Sequence, residues 1–261
     1  MANIHFFCHK KIMSINSNKA IKEFNRIKNL GFVENIRPNH HDGSAGNTFE
    51  HYLGVKENNL KDPDFLDFEV KTKKKKSSSW ISLFTLKPDS PKSGDKYMRD
   101  NFGINDEEYP QHKCFRTSLY AHRWSIVYGN FKYKVTNAKK ENKIYITKAD
   151  MDENILDKNV FWNYSSITQG IKKLKNTFFI NYEVKKTGNK YFYKYTNATI
   201  FLDYIGDSNF YNLLDEGIIR YDNRLGIYRS GEKKGLLHNH GGGFRANPKN
   251  IDKLYKSKIE A

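Results

Sequence analysis

The chain has 261 residues, which is long enough for one large domain or two smaller ones with a substantial apolar core. Its 45 Lys and Arg residues exceed its 29 Asp and Glu residues, and the formal charge of +16 indicates a polyanionic partner, most commonly nucleic acid. A general lysine bias in composition would produce the same charge. Aromatic residues make up 15% of the chain, which excludes a disordered protein.

The cysteine content and the hydropathy pattern indicate the compartment. Cys8 and Cys114 are too few for a disulfide framework, so we expect a reducing environment, the cytoplasm. No apolar run precedes a cleavage site near the N-terminus, and no stretch of about 18 apolar residues is present. We therefore expect no membrane association.

The first predicted element is an amphipathic helix over residues 17–30, followed by a glycine that supplies a stop. Apolar residues recur in it at intervals of three and four: Ala20, Ile21, Phe24, Ile27 and Leu30. Residues 38–47, rich in Pro, His, Asp, Gly and Asn, should form a loop. A short second helix should follow, capped by Asn47 or Thr48. It should contain Phe49, Glu50, Tyr52 and Leu53 and end at Gly54.

Strands are predicted in the middle and later parts of the chain. The strand that carries Glu69 and Lys71 should be followed by a turn of lysines and serines and then by residues 80–86 as its hairpin partner. Residues 88–112, rich in Pro, Gly and charge, should form a long surface excursion. Further on we expect a hairpin of residues 125–128 and 131–135, a helix near 168–174, a hairpin of 178–185 and 191–202, and a helix over 207–216.

The most informative segment runs from Pro63 to Lys71. Side chains alternate along a strand, so Glu69 and Lys71 should project from one face while Phe68 and Val70 project from the other. Acids and a lysine that converge on one point can bind a divalent cation and direct a water toward a phosphate. The segment therefore indicates nuclease chemistry.

The ligands of such an ion should be oxygen atoms, because Mg²⁺ prefers them and keeps several waters. We predict Asp64, Glu69 and the Val70 carbonyl as metal ligands, with one or two Mg²⁺ ions. Lys71 should contact the phosphate and orient or help deprotonate the attacking water. The catalytic candidates are Glu50, Asp64, Glu69 and Lys71, with Glu50 adding a carboxylate from the preceding helix.

Other interpretations of this segment stay open. Asp67 shares a strand face with Glu69 and competes with Asp64 for the metal, although a turn at Pro63 would favour Asp64. The pattern also arises by chance as an exposed ion pair in a lysine-rich chain. The lysine run at residues 73–76 either follows a phosphate backbone or is a solvated hairpin tip.

A second unusual segment lies at residues 235–245 and contains three consecutive glycines. Glycines allow close backbone approach to another surface, and arginine and histidine can donate hydrogen bonds to guanine O6 and N7. We predict DNA contacts from Arg224, Arg229, His238, His240 and Arg245. Alternatives are a plain glycine-rich loop, a zinc site that lacks further ligands, and an HNH nuclease, whose signature spans a longer unit.

Together these segments resemble the MvaI/BcnI branch of type II restriction endonucleases, MutH-like members of the PD-(D/E)xK superfamily. The resemblance depends on Gly46-Asn47-Thr48-Phe49-Glu50, on Pro63-Asp64 with Glu69-Val70-Lys71, on the 14-residue step from Glu50 to Asp64, and on His238, His240 and Arg245. The resemblance depends on the order and spacing of these motifs taken together, and the motifs lie within residues 46–86 and 220–245.

The resemblance implies a mixed α/β fold, a PD-(D/E)xK core with a central mixed sheet and two lobes that form a DNA-binding cleft. Acidic candidates lie early and arginine, histidine and glycine clusters lie late. We therefore predict a catalytic lobe at residues 1–150 and a DNA-recognition lobe at 151–261, with a soft boundary and lobes that could share one sheet.

The resemblance also implies an activity. We expect a monomeric, Mg²⁺-dependent enzyme that cuts double-stranded DNA at a short site of CC and GG pairs around a central base or bases. It should leave 5′-phosphate ends, need no nucleotide cofactor, and accompany a cognate DNA methyltransferase. A MutH-like mismatch-repair nicking enzyme and a non-catalytic basic DNA-binding protein are the alternatives.

Overall fold

The computed structural model describes residues 2–37, 40–41, 43–55, 63–239 and 241–261, with side chains described from residue 14 onward. The helices are α1 (Ala2–Lys28), α2 (Ser44–Tyr52), α3 (Gly94–Phe102), α4 (Tyr164–Ile171) and α5 (Asp207–Asp215). Short 3₁₀ helices occupy Lys139–Glu141, Lys172–Lys175 and Pro248–Leu254. Within these ranges no helix is long and apolar enough to cross a bilayer.

The strands are short in the first half of the chain and longer in the second. They are β1 (Phe32–Glu34), β2 (Glu69–Lys74), β3 (Ile81–Thr85), β4 (Ile104–Asn105), β5 (Lys113–Leu119), β6 (Ser125–Val127), β7 (Phe131–Ala138), β8 (Lys143–Ala149), β9 (Ile155–Asn163), β10 (Thr177–Thr187), β11 (Lys190–Tyr204), β12 (Ile219–Ile227), β13 (Leu237–Asn239), β14 (Gly243–Ala246) and β15 (Tyr255–Glu260).

The chain forms two compact units that interleave in sequence. The first unit comprises residues 1–79, 173–205 and 252–261, and the second comprises residues 80–172 and 206–251. These units differ from the division expected near residue 150. The assignment of catalysis to one part and recognition to the other stays a prediction.

The first unit is built on a mixed sheet in the order β1-β11-β10-β2, with β15 also paired to β11. β2 runs parallel to β10, while β11 runs antiparallel to β1, β10 and β15. The expected central mixed sheet is therefore confirmed. The hairpin of β10 and β11 is also confirmed, and it extends the predicted strands at both ends.

The core of this unit packs α1 and α2 against one face of the sheet. Its buried members include Ala20, Phe24, Ile27, Phe49, Val70, Ile180 and Tyr193. The helix predicted at residues 17–30 is present, but it begins at Ala2. Leu30 lies beyond its end and is 49% exposed, so the predicted apolar stripe stops at Ile27.

Helix α2 begins earlier than predicted. Its N-cap is Gly43, and Asn47 and Thr48 lie inside the helix, so the predicted caps are wrong. Thr48 instead donates its hydroxyl to the Ser44 carbonyl, 2.8 Å away, one turn back. The predicted end is confirmed, because Gly54 adopts a left-handed φ of +76° just past the helix.

Strand β3 is not the hairpin partner of β2, which corrects that prediction. β3 pairs with β14 in the second unit, and β2 pairs instead with the parallel strand β10. Local pattern alone favours the nearest strand, whereas a parallel pairing joins segments that are distant in sequence.

The predicted surface excursion at residues 88–112 is also wrong in part, since α3 lies within it and buries Met98 and Phe102.

The second unit contains two antiparallel sheets. One has the order β3-β14-β12-β5-β4, with β13 also paired to β12, and the other has the order β6-β7-β8-β9. The hairpin predicted around Gly129 is confirmed as β6 and β7. Helix α5 matches its prediction closely, while α4 begins four residues earlier than predicted.

Candidate active site and recognition face

A tight turn places Asp64 beside β2. Phe65 and Phe68 exchange backbone hydrogen bonds of 3.1 and 2.9 Å, and Leu66 between them has a φ of +57°. The turn is thus at Leu66 rather than at Pro63, but it folds the chain back as expected. The Asp64 carboxylate, through Oδ2, accepts a 3.0 Å hydrogen bond from the Val70 amide.

That bond also fixes the direction of the Val70 carbonyl. In an extended strand the N–H and C=O of one residue project toward the same edge. The Glu69 amide donates to the Asn176 carbonyl just before β10, so the backbone of Glu69 faces into the sheet. Val70 therefore points its amide and its carbonyl to the outer edge of β2, where Asp64 lies.

Glu69 and Lys71 share a face, as predicted. Lys71 Nζ lies 2.7 Å from Glu69 Oε1, and the side chains of Lys71 and Glu69 are only 23% and 8% exposed. Phe68 and Val70 project into the core on the other face. The second carboxylate oxygen of Glu69, Oε2, is buried and accepts no hydrogen bond from the described part of the chain. A buried carboxylate oxygen in that state has unused capacity to bind a cation.

Asp67, the competitor of Asp64, is occupied by neutral partners. The Asn16 amide donates to its Oδ1 at 3.1 Å, and the Asn176 amide donates to its Oδ2 at 3.1 Å. Both carboxylate oxygens thus tie the turn to α1 and to the segment before β10. This arrangement favours a structural role for Asp67 and leaves Asp64 as the better candidate ligand.

Glu50 lies on α2, which packs against β2. A Cβ added at Gly46 would lie 3.9 Å from Glu50 Oε1 and 3.4 Å from the Thr72 hydroxyl, so both side chains border the same small space. Thr72 is two residues past Val70 on the strand. Among the described residues, however, no group of three or more His, Cys, Asp or Glu side chains is close enough to hold an ion. The structure therefore brings together Asp64, Glu69, Lys71 and Val70 and leaves Glu50 adjacent.

The recognition candidates lie in the second unit, where β12 is central. Its side chains alternate, with Tyr221, Asn223, Leu225 and Ile227 buried. Arg220, Asp222 and Arg224 project from the opposite face. The register places Arg245 beside Arg220, and Ser118 beside Asp222. It also places Arg116 beside Arg224, and His238 beside Gly226. We call this set the polar face: Arg116, Ser118, Arg220, Asp222, Arg224, His238 and Arg245.

Asp222 organises the centre of the polar face. Its Oδ1 lies 2.7 Å from Arg220 Nε and accepts a 2.8 Å hydrogen bond from Ser118, and its Oδ2 lies 3.0 Å from Arg245 Nε. Arg245 is buried, at 8% exposure. A pocket of about 470 Å³ opens above this group, and Arg116 and Arg224 help to line it. The pocket presents several guanidinium groups around one carboxylate.

The predicted recognition residues have different surroundings. Arg224 lines the pocket, and His238 stacks on Tyr228 with ring centroids 3.9 Å apart. Burial lowers the pKa of His238, which favours the neutral imidazole. Arg229 is held by Asp106, 2.8 Å from Oδ1, and by Glu108. His240 lies outside the described residues.

Arg116, Ser118, Arg220 and Asp222 were not predicted. The alternation Arg220-x-Asp222-x-Arg224 in the sequence is a signal that could have identified the β12 members. Arg116 has no such signal, because only the register of β5 places it next to Arg224. Gly226 makes room for it, since a Cβ there would lie 2.1 Å from Arg116 Nη2.

A mixed sheet whose edge strand carries Glu69 and Lys71, with Asp64 folded against it, is the arrangement of a PD-(D/E)xK nuclease core. The comparisons with known proteins are consistent with this class. The profile of the MvaI/BcnI restriction endonuclease family matches residues 21–255. The chain belongs to that family and is a type II site-specific deoxyribonuclease.

Solved structures similar to this chain include two of restriction endonuclease MvaI. The complex of restriction endonuclease MvaI with its cognate DNA substrate has a TM-score of 0.83 and 28% sequence identity, covering 93% of this chain and 97% of that chain. MvaI in the absence of DNA has a TM-score of 0.58 and 29% identity, covering 94% and 97%. No curated protein sequence matches the chain significantly.

Proposed function

We propose that this endonuclease hydrolyses double-stranded DNA in a Mg²⁺-dependent reaction at a short site of CC and GG pairs around a central base or bases, leaving 5′-phosphate and 3′-hydroxyl ends. The observation that carries the proposal is the Glu69 carboxylate, with one oxygen at Lys71 and the other buried without a hydrogen-bond partner among the described residues. The complex of MvaI with cognate DNA supports a DNA substrate.

The residues present fit a magnesium ion. Asp64, Glu69 and the outward Val70 carbonyl offer hard oxygen ligands at one strand edge, and a site with this few protein ligands suits an ion that keeps several waters. When bound, Mg²⁺ neutralises charge that develops on the phosphate and lowers the pKa of the attacking water.

The protein's own groups supply position and charge. Lys71, held at Glu69, presents its ammonium group to a nonbridging phosphate oxygen and orients the attacking water. The hydrogen bond from the Val70 amide holds the Asp64 carboxylate in one orientation. We propose Glu50, which borders Thr72 of β2 from helix α2, as a further acid of the site.

The polar face supplies base recognition in this proposal. Arg224 and Arg245 can each donate two hydrogen bonds to guanine O6 and N7, and neutral His238 can donate one. Asp222 holds Arg220 and Arg245 in fixed directions, so less conformational entropy is lost when a base is bound. We propose Arg229 and His240 as further DNA contacts. The guanidinium of Arg229 is already paired with Asp106 and Glu108.

We also propose that the enzyme acts as a monomer in the cytoplasm and that a cognate DNA methyltransferase protects the host's own sites. Each strand would then be cut in a separate binding event, and a nicked circle would precede the linear product. A MutH-like nicking enzyme would instead stop at the nicked circle.

Digestion of phage and plasmid DNA tests the proposal. With Mg²⁺ we expect discrete fragments whose sequenced ends share one short CC/GG-rich site, and ends that ligate without phosphorylation. Removal of divalent ions with EDTA should leave the DNA intact. Ends without a common sequence, or cleavage that persists in EDTA, would contradict the proposal.

A further inference from the structure

The sheet face that carries the catalytic candidates continues beyond them. Glu69 and Lys71 alternate with core residues on β2, so Lys73 must project from the same face. Lys75, one residue past the end of β2, lies on that side as well, because it pairs with Glu183. Lys73 is held there, because its ammonium group donates to the Ser79 carbonyl. The continuation of β2 is therefore basic.

Neighbouring strands extend this basic face. The parallel register aligns Lys73 with Asn181, so Glu183 and Lys185 follow on the same face of β10. Lys194 of β11 lies opposite Glu183. A 3.3 Å ion pair between Lys75 and Glu183 shows that β2 and β10 share this face. We call the set the lysine face: Lys73, Lys75, Lys185, Lys190 and Lys194.

The lysine face has more positive charge than its acids neutralise. Glu183 pairs with Lys75, and Glu34 pairs with Lys190 at 2.9 Å. Lys185 and Lys194 are exposed and form no ion pair within the described residues. Helices α1 and α2 pack on the other face of this sheet, whereas Lys185 and Lys194 lie on the face that carries Glu69 and Lys71.

We propose that the lysine face binds the phosphate backbone of duplex DNA that flanks the scissile phosphate. The inference rests on the proposed function, since it requires duplex DNA at Glu69 and Lys71. From Lys71 to Lys75 the strand advances about 13 Å at roughly 3.3 Å per residue. At about 3.4 Å of helix rise per nucleotide, that length spans roughly four base pairs. Contacts of this kind add affinity without sequence preference.

The test compares two double variants with the same change in charge. Lys185→Gln/Lys194→Gln removes the two unpaired lysines of the lysine face. Lys19→Gln/Lys22→Gln, the control, removes two exposed lysines from α1, which covers the opposite face of the sheet. All substituted side chains are exposed, so both proteins should unfold at the wild-type temperature.

Binding is measured without divalent ions, at several salt concentrations, on one duplex with long flanks and one that ends close to the site. Wild type should prefer the long duplex. In the lysine-face variant this preference should disappear, and the slope of log K against log salt should fall by about 2, near 0.9 for each lost contact. The α1 variant should keep both properties, and all three proteins should cleave saturating DNA at similar single-turnover rates.

The outcomes separate the two proposals. If the lysine-face variant keeps the wild-type salt slope and length preference, or loses no more than the α1 variant, the lysine face does not bind flanking DNA and the proposed function stands. If wild type itself yields no Mg²⁺-dependent cleavage of duplex DNA, the proposed function fails and this inference fails with it.

Discussion

Lys71 Nζ lies 2.7 Å from Glu69 Oε1, while Glu69 Oε2 is buried and accepts no hydrogen bond from the described residues. Lys71 therefore pairs with one oxygen of a buried carboxylate. The other oxygen, Glu69 Oε2, has the surroundings expected of a metal ligand. Asp64 and the Val70 carbonyl lie along the same strand edge. Substitutions can separate the roles of these groups from those of the polar face.

Replacing Lys71 by alanine should abolish cleavage and leave DNA binding nearly unchanged. Loss of a positioned ammonium group at the reacting phosphate should reduce the single-turnover rate by about 10²–10⁴-fold. Lys132→Ala is the matched control, because Lys132 of β7 also pairs with a glutamate, 2.9 Å from Glu153, has a similarly small exposed fraction, and lies outside the proposed site and the lysine face. Cleavage by purified Lys71→Ala at the wild-type rate would remove the assignment.

Asp64→Asn and Asp67→Asn should differ in kind. The Asp64→Asn side chain can still accept the hydrogen bond from Val70 but lacks the charge that a metal ligand needs, so cleavage should be lost and stability retained. Asp67 accepts hydrogen bonds from the side-chain amides of Asn16 and Asn176, one on each oxygen. In Asp67→Asn an NH₂ group replaces one of these oxygens, so a donor would face a donor. Denaturant unfolding of that variant should show a loss of about 1–3 kcal/mol, with cleavage retained. The reverse result would make Asp67 the ligand.

Addition of Mg²⁺ should raise the unfolding temperature of wild type but not of Glu69→Gln. Ligand binding to the folded state contributes about 2.7 kcal/mol at a hundred times the dissociation constant. Glutamine keeps the size of the side chain and removes its charge. The measurement is thermal unfolding across a Mg²⁺ titration, with Glu183→Gln as a control on the exposed surface. An equal shift in Glu69→Gln would exclude Glu69 as a ligand.

Gly226→Ala should weaken DNA binding by displacing Arg116. The added methyl group would lie 2.1 Å from Arg116 Nη2, and the flexible guanidinium can move away with little loss of stability. If Arg116 contacts DNA, Gly226→Ala and Arg116→Ala should each reduce affinity, and the double variant should be no worse than Arg116→Ala. Additive losses would show that Gly226 acts through another group.

Asp106 should contribute to stability at neutral pH and lose that contribution in acid. Hydrogen bonds from Arg229 hold the pKa of Asp106 below its ordinary value of about 3.8. A lowered folded-state pKa stabilises the protein above the unfolded pKa, and the effect disappears as pH falls through the folded value. Asp106→Asn should therefore lower the unfolding temperature at pH 6, and the difference from wild type should shrink below pH 4. A constant difference would contradict this linkage.

Local patterns predicted much of the site. The alternation of Phe68, Glu69, Val70 and Lys71 correctly separated core from active face, because a strand's side chains alternate whatever it pairs with. The β10–β11 hairpin and helix α5 were also predicted, since turn residues and apolar periodicity are local signals. The start of α2 was not, because Gly43 and Gly46 are typical of loops.

Non-local pairing accounts for most of what was missed. β3 pairs with β14 rather than with its neighbour β2, and Arg116 reaches Arg224 only through the register of β5. A one-residue change of register would turn Arg116 to the other face, and nothing near it in sequence specifies that register.

The amino-acid sequence by itself determined the basic charge, the acid and lysine on one strand face, and the family motifs, because these depend on composition and on short-range geometry. Only the tertiary structure decided which carboxylate lies beside Val70, that two arginines share Asp222, and that lysines from three strands form one face. Those relationships depend on hydrogen-bond register between segments far apart in the chain, where local propensity has no influence.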